Sequence, residues 1–291
     1  MDAPPGAGPS NSRDLRKEPV EDVLRRVERG LEVQLDRASV VTKRRSIGVR
    51  TDRGTWVRIE RRLLAKIAAQ GQPANGMEAA ELLTGIAKPA WYGALSWLDQ
   101  ADAAIWRADE VGLVSAPPIR PRGALREAPA LSDAWWATLN ASLDNLAQQH
   151  TARLATPDTQ LMTQALVTDL IERVFPGQVD TTLPSIEQWV PAHADLNWAN
   201  LTAPECWLLD WEDLGQAPRG LDAATLWVSS LAIPPLAERV RHERQADLDS
   251  RSGKLMTLFY CAKVVGDAHS EGSPSFEPAT RLATQLLAEL A

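Results

Sequence analysis

The polar residues best placed to do chemistry together lie in one stretch of the 291-residue sequence, VPAHADLNWANLTAPECWLLDWEDLGQAPRGLDAATLW, positions 190–227. Asp195 and Asn200 are five residues apart on a loop beside His193, and Asp210 follows the apolar run 207–209. That run reads as a short strand, so the Asp210 carboxylate is delivered at a strand end. A carboxylate and an amide oxygen facing each other across a hairpin suit a hard divalent cation such as Mg²⁺. This ion prefers oxygen ligands and keeps waters and substrate phosphates in its other positions. A second carboxylate nearby, Asp195, can orient a hydroxyl toward a metal-bound phosphate. Taken singly, loop Asp and Asn residues are commonest as backbone caps; the joint spacing is what argues for chemistry. His193 has no second His or Cys at ligand spacing and does not read as a metal ligand.

His-x-Asp, an Asn five residues after the Asp, then a strand ending in Asp resembles the catalytic layout of protein kinases. In detail it is similar to the aminoglycoside phosphotransferase and choline kinase-like family. Members read roughly His-Gly-Asp-Leu-His-x-x-Asn-hydrophobic, then an apolar run and Asp-Trp-Glu, then Pro-x-x-x-Asp-hydrophobic-Ala. This chain has His193-Ala194-Asp195-Leu196-Asn197-Trp198-Ala199-Asn200-Leu201, then Leu208-Leu209-Asp210-Trp211-Glu212, then Pro218-Arg219-Gly220-Leu221-Asp222-Ala223-Ala224. The resemblance implies that Asp195 is the catalytic base, that Asn200 and Asp210 hold Mg²⁺, that His193 braces the loop and that Asp222 anchors it. Ala194 stands where the family has Gly, which implies a backbone without positive φ there. Asn197 stands where the family has His.

The same resemblance implies an α+β, protein-kinase-like two-lobed fold. Residues 1–18 would be a flexible arm, 19–118 a small β-rich nucleotide lobe, and 119–291 a larger, mainly helical catalytic and substrate lobe. Arg58 occupies the place of the strand cation that pairs ATP phosphates, with Glu78, or Glu81, as its helix partner. No GxGxxG is present; Lys43-Arg44-Arg45-Ser46 forms a short basic loop in which Arg45 and Ser46 could hold phosphate. The implied activity moves the γ-phosphate of ATP, or GTP, with Mg²⁺, to a hydroxyl of a small molecule such as an aminoglycoside or another amine-bearing antibiotic. The missing glycine loop also fits a non-catalytic kinase-like binding protein. Asp-Trp-Glu in place of Asp-Phe-Gly, and no Ala-Pro-Glu, argue against a protein kinase. Acidic residues outnumber basic ones between Glu205 and Asp249, which predicts a cationic acceptor with Glu212 and Asp213 as contributors.

The elements that must position these residues are legible by period and punctuation. Val20, Val23, Leu24, Val27 and Leu31 are at helical spacing. A strand is expected at 37–43. A hairpin follows, 47–51 with 55–60 around Asp52-Arg53-Gly54. A helix is expected over 62–86, broken near 71–76, then a second hairpin, 92–99 with 103–110. Pro117, Pro118, Pro121 and Gly123 mark a boundary. Ser132 predicts a cap for a helix carrying Trp135, Leu139, Leu143 and Leu146. Thr156-Pro157 predicts the start of a helix ending at Pro176-Gly177. Residues 201–209 read as a small hairpin, and the remainder as helical with loops near Pro234-Pro235 and 272–278.

Bulk properties agree. The chain is 44% hydrophobic, long enough for two packed cores. A net charge of -7 argues against a nucleic-acid partner, which needs a basic surface. Two cysteines, Cys206 and Cys261, form neither a disulfide framework nor a CxxC site and fit a reducing cytoplasm. No apolar run approaches membrane-spanning length, so no membrane partner is expected. The eleven tryptophans are expected mostly in the core.

Overall fold

Alternation of apolar and charged side chains builds the first sheet. In the computed structural model, which describes residues 14–120, 125–178 and 186–290, five antiparallel strands lie in the order β1-β2-β3-β5-β4. Helix α1 (Glu21–Leu31) precedes β1 (Val41–Thr42), β2 (Ser46–Arg50) and β3 (Thr55–Leu63). Then come α2 (Leu64–Gln70), α3 (Gly76–Ala80), β4 (Trp91–Asp99) and β5 (Ala104–Gly112). Ile47, Val49, Val57, Ile59, Trp106 and Ala108 point to one face and are buried with Leu24 and Val27 of α1. Gly30 allows the close approach of α1, since a Cβ there would sit 2.3 Å from Leu95 Cδ2. The opposite face carries charge. Gly48 pairs with Arg58, and Arg58 with Asp109; Arg107 bonds Asp109 at 2.7 Å, and Arg62 bonds Glu60 at 3.1 Å.

Both expected hairpins are present. The strand expected at 37–43 is instead a 3-10 turn, Arg37–Ser39, followed by the two-residue β1. Arg37 explains this: its guanidinium bonds Glu21 (3.0 Å) and Glu28 (2.7 Å) on α1 and pulls the chain off the sheet. Of the arm expected over 1–18, residues 1–13 lie outside the described residues; Leu15 is buried in the sheet core and its N–H donates to the Arg44 carbonyl at 3.0 Å. The helix expected over 62–86 is cut down to α2 and α3, with β3 running on to Leu63 and Gly71 at φ +62° closing α2.

Contacts divide the chain into two compact units. One comprises residues up to Ala68 with Ala90–Leu113; the other comprises Ala69–Pro89 with Val114 onward. The second unit is mainly helical: α4 (Asp133–Ala147), α5 (Gln164–Val174), α6 (Leu221–Val228), α7 (Pro234–Glu243), α8 (Gln245–Leu248), α9 (Arg251–Gly266) and α10 (Phe276–Leu290). Between α5 and α6 lie two short paired strands, β6 (Trp189–Ala192) and β7 (Gly215–Pro218). Residues 121–124, which include part of the expected Pro/Gly boundary, are outside the described residues.

Ser132 caps α4 as expected, accepting from Trp135 N–H at 3.2 Å. Helix α5 starts later than expected, capped by Thr163. Thr156-Pro157 opens only a 3-10 turn, because the Thr156 hydroxyl is drawn away to Asp213 at 2.7 Å. Pro234 and Pro235 begin α7 rather than a loop, proline being at ease in a first helical turn.

Trp135, Trp136, Trp198 and Trp211 are buried in one core cluster with Leu139, Leu196, Leu201 and Leu208. Three of these indoles donate hydrogen bonds: Trp135 Nε1 to Thr202 O (2.7 Å), Trp198 Nε1 to Ser230 Oγ (3.0 Å) and Trp211 Nε1 to Leu208 O (2.8 Å). The segment 70–89 is fastened to this unit by side chains. Gln72 exchanges two hydrogen bonds with the Leu154 backbone (2.6 and 3.0 Å). Arg153 donates to Pro73 O, Asn75 Oδ1 and Leu214 O (3.0, 2.5 and 3.0 Å). No helix among the described residues is long and apolar enough to cross a membrane.

Candidate active site

The β6–β7 pair delivers His193 into the core, where it is fully buried. Its Nε2 lies 2.7 Å from the Leu209 carbonyl, which can only accept, so Nε2 carries the proton. Nδ1 is then the acceptor for the Asp195 N–H at 3.3 Å. Burial holds the His193 pKa below its ordinary value, partly opposed by Asp222 and the Leu209 carbonyl, so the ring is neutral. It links the loop carrying Asp195 to the strand end before Asp210.

Asp222, in the first turn of α6, is also buried. Its two oxygens accept the His193 N–H (2.8 Å) and the Ala194 N–H (2.9 Å). Burial raises its pKa, and its neighbour His193 and these two N–H bonds oppose the rise. The expectation for Ala194 is corrected here: its φ is +69°, the left-handed region that favours glycine. The paired N–H bonds to Asp222 hold the backbone there against a penalty on the order of 1–2 kcal/mol for a residue with a Cβ.

Asp195 accepts an amide hydrogen on each carboxylate oxygen, from Asn197 at 2.9 Å and from Asn200 at 2.8 Å. Its pKa is raised, first by burial, against these two amides, with further upward pushes from the Glu212 and Asp158 carboxylates. The 201–209 hairpin forms around an antiparallel Leu201–Leu208 bridge, with Leu209 N–H donating to Asn200 O at 2.8 Å. Asn200 and Asp210 thus sit at the open end of one hairpin, Asp210 in a left-handed conformation (φ +66°). The Asn200 NH₂ is committed to Asp195, which leaves its amide oxygen for a cation. That oxygen and the Asp210 carboxylate could supply two ligands of the hardness Mg²⁺ selects. Among the described residues no group of three or more His, Cys, Asp or Glu assembles. A Mg²⁺ site is compatible with that, since this ion fills most positions with water and phosphate.

Of the acidic candidates, Asp213 is corrected. It is 6% exposed and accepts from the Thr156 hydroxyl and, through its carbonyl, from the Thr156 N–H, so it belongs to the packing. Glu212 is half-buried and acts electrostatically on Asp195. Three of the carboxylates between Glu205 and Asp249 are held in ion pairs: Glu243 with Arg239, Asp247 with Arg219 and Arg244, Asp249 with Arg241. Asp158, which the sequence reading missed, also acts on Asp195 and pairs with Lys263. It lies in a short 3-10 turn at φ +54°, and its spacing from Asp195 offers no signal.

Glu78 lies on α3, which packs on the turn 211–213. A Cβ on Gly76 would sit 2.4 Å from the carbonyl oxygens of both Trp211 and Glu212, so only glycine fits, and Trp211 N–H donates to Met77 Sδ at 3.2 Å. Arg58, Arg45 and Ser46 belong to the other unit, Arg58 on the charged face of the sheet and Arg45 and Ser46 at the entry to β2. Trp56, also missed, shares that face two residues before Arg58. Its indole lies over Gly48, where a Cβ would be 2.2 Å from the ring. A cavity of about 720 Å³ opens behind the loop, lined by Asp222, Arg219, Arg244 and Trp189 among others. Asp195, Asn200 and Asp210 do not line it, and the hydrogen-bonded network locates the chemistry better than the cavity does.

No family model and no curated protein matches the sequence. Solved structures do match in fold. The amicoumacin kinase hAmiN, in complex with AMP-PNP, Ca²⁺ and Ami, superposes with a TM-score of 0.53 at 11% identity, over 94% of this chain and 95% of that one. A thermostable mutant of aminoglycoside phosphotransferase APH(4)-Ia, in ternary complex with AMP-PNP and hygromycin B, gives 0.55 at 10% identity over 92% and 98%. The GDP and kanamycin complex of APH(2")-IIia gives 0.51 at 12% identity over 88% and 93%. The chain therefore has the two-lobed kinase-like fold, with a five-stranded sheet in one lobe and helices in the other.

The neutral, buried His193 predicts a pH dependence of stability. Its folded pKa is depressed, so its contribution is complete above the ordinary value of 6.5 and is lost as pH falls below it. Urea denaturation from pH 7.5 downward should show stability falling by up to about 1.4 kcal/mol per pH unit below that value. His193→Gln, which can still donate to Leu209 O, should flatten this part of the curve.

Proposed function

We propose that the protein is a phosphotransferase that moves the γ-phosphate of ATP or GTP, with Mg²⁺, to a hydroxyl of a small amine-bearing molecule. The observation that carries the reading is the Asp195 carboxylate, held by the amides of Asn197 and Asn200, on a loop that the Leu209 N–H to Asn200 carbonyl bond joins to the strand end before Asp210. Asp195 accepts the hydrogen bond of the acceptor hydroxyl and aims its oxygen at phosphorus, taking the proton as the new O–P bond forms and the bond to the β–γ bridging oxygen breaks, releasing ADP or GDP. Asn200 and Asp210 hold Mg²⁺, which when bound would neutralise charge on the phosphate oxygens. Arg58 and the turn at Arg45 and Ser46 supply further cationic and N–H contacts to phosphate, with Glu78 orienting the cation. The half-buried Trp56 on the Arg58 face offers an aromatic surface for a purine base. The kinase-fold structures that superpose on this chain carry AMP-PNP or GDP, and one carries Ca²⁺, in support of a nucleotide and a divalent cation.

The amine-bearing acceptor is supported by Glu212, a half-buried carboxylate that acts on Asp195. An ammonium group near it gains charge-assisted hydrogen bonds and is attracted from solution. The antibiotics in the superposed structures fit that class. The alternative, a non-catalytic kinase-like binding protein, rests on the absence of a glycine-rich loop.

The deciding experiment incubates the protein with γ-labelled ATP or GTP and Mg²⁺ against aminoglycosides, other antibiotics and amino alcohols. Labelled product supports the transferase; binding without turnover, with or without Mg²⁺, supports the alternative. With an acceptor in hand, Asp195→Ala should lower turnover by about 10²–10⁴-fold with nucleotide affinity nearly intact. Asp210→Asn should weaken Mg²⁺-nucleotide much more than metal-free nucleotide, measured by calorimetry. For a polyamine acceptor, the Michaelis constant should rise with ionic strength, and Glu212→Gln should raise it at low salt.

A further inference from the structure

Asn197 spends its side-chain amide and its carbonyl within the loop. Its Nδ2 donates to both the backbone carbonyl (3.1 Å) and the Oδ1 (2.9 Å) of Asp195. Its Oδ1 accepts the Ala199 N–H at 2.9 Å, and its carbonyl accepts the Asn200 N–H at 2.9 Å. Asn200 mirrors it, with Nδ2 donating to the Asp195 carbonyl (2.8 Å) and to Oδ2 (2.8 Å). Each amide therefore bridges the backbone and one carboxylate oxygen of the same residue. One such bridge leaves the carboxylate able to swing about the other oxygen. Two bridges, one per oxygen, fix both side-chain torsions.

We propose that Asn197 is a positioning residue for phosphotransfer: with Asn200 it locks the Asp195 carboxylate in a single orientation, leaving the remaining lone pair of each oxygen for the acceptor hydroxyl. This deepens the phosphotransferase reading and rests on it for its kinetic consequence. Asn200 alone cannot hold the orientation, because its bridge restrains only Oδ2. Asn197 is suited to the task because its own oxygen is pinned by Ala199 N–H, which fixes the direction of its NH₂. A misaligned base by about 1 Å can cost on the order of a hundredfold in rate while binding is unaffected.

The test is Asn197→Ala, with Asn197→Ser as a second variant whose short hydroxyl can still accept from Ala199 N–H but cannot reach the Asp195 carboxylate. Both should lower kcat by about tenfold to a hundredfold, with the Michaelis constants of nucleotide and acceptor within about twofold of the parent. Asn197→His, which restores a ring N–H donor, should recover part of the loss. Crystal structures of parent and variant provide a readout independent of turnover: one carboxylate orientation in the parent, a rotated or divided one in Asn197→Ala or Asn197→Ser. A kcat within about twofold of the parent, or an Asp195 carboxylate unmoved in the variant crystals, would overturn the proposal. A parent with no phosphotransfer to any acceptor would sink the functional reading alone, and the crystal comparison would still decide what Asn197 does.

Discussion

A single buried carboxylate holds the loop that carries Asp195. Asp222 takes the N–H groups of His193 and Ala194 on its two oxygens, from the first turn of a core helix. Remove it and two buried backbone donors lose their partners, each at a cost of about 1–3 kcal/mol. The left-handed turn at Ala194 would lose the force that keeps it, and the direction of Asp195 would go with it. His193 extends the constraint sideways by tying the loop to the Leu209 carbonyl, next to Asp210. The three residues of the proposed chemistry are thus fixed by backbone bonds from groups that take no part in it.

The second unit gave up its site to sequence reading because the site is local. Asp195, Asn200 and Asp210 fall within sixteen positions, and a strand, a turn and a strand suffice to bring them together. Asp222 is only twelve residues farther and sits at a helix start that proline and glycine announce. What resisted reading were contacts between distant segments. Nothing near Asp158 ties it to Asp195, and Asp213 looked like an acid facing ligand until Thr156, 57 positions earlier, bonded it. Ala194 misled for a physical reason: side-chain identity indicates what a conformation costs, not whether neighbours impose it.

In the first unit, period and turn chemistry sufficed for the two hairpins, and failed where charge overrode propensity. Val40, Val41 and Thr42 favour a strand, yet Arg37, paired with Glu21 and Glu28 across sixteen and nine positions, bends the approach into a turn. The same logic applies to the acidic excess after Glu205. A count of charges treats each as available, whereas Glu243, Asp247 and Asp249 are paired with arginines of their own unit. The carboxylate that matters for an acceptor in the proposed reading is Glu212, whose field reaches Asp195.

The detour of residues 69–89 has a consequence for how the molecule can be taken apart. The chain leaves the sheet unit after Ala68, is fastened to the helical unit by Gln72, Arg153 and Gly76, and returns to the sheet at Ala90. Neither unit is therefore a continuous piece of polypeptide. One cut cannot release the sheet intact, and a graft that replaced everything before Val114 would carry away α3 and leave the 211–213 turn without the glycine that fits it. Exchange of the sheet unit between relatives is confined to two separate stretches with this helix left behind, so the segments of a chimaera alternate between donors along the chain.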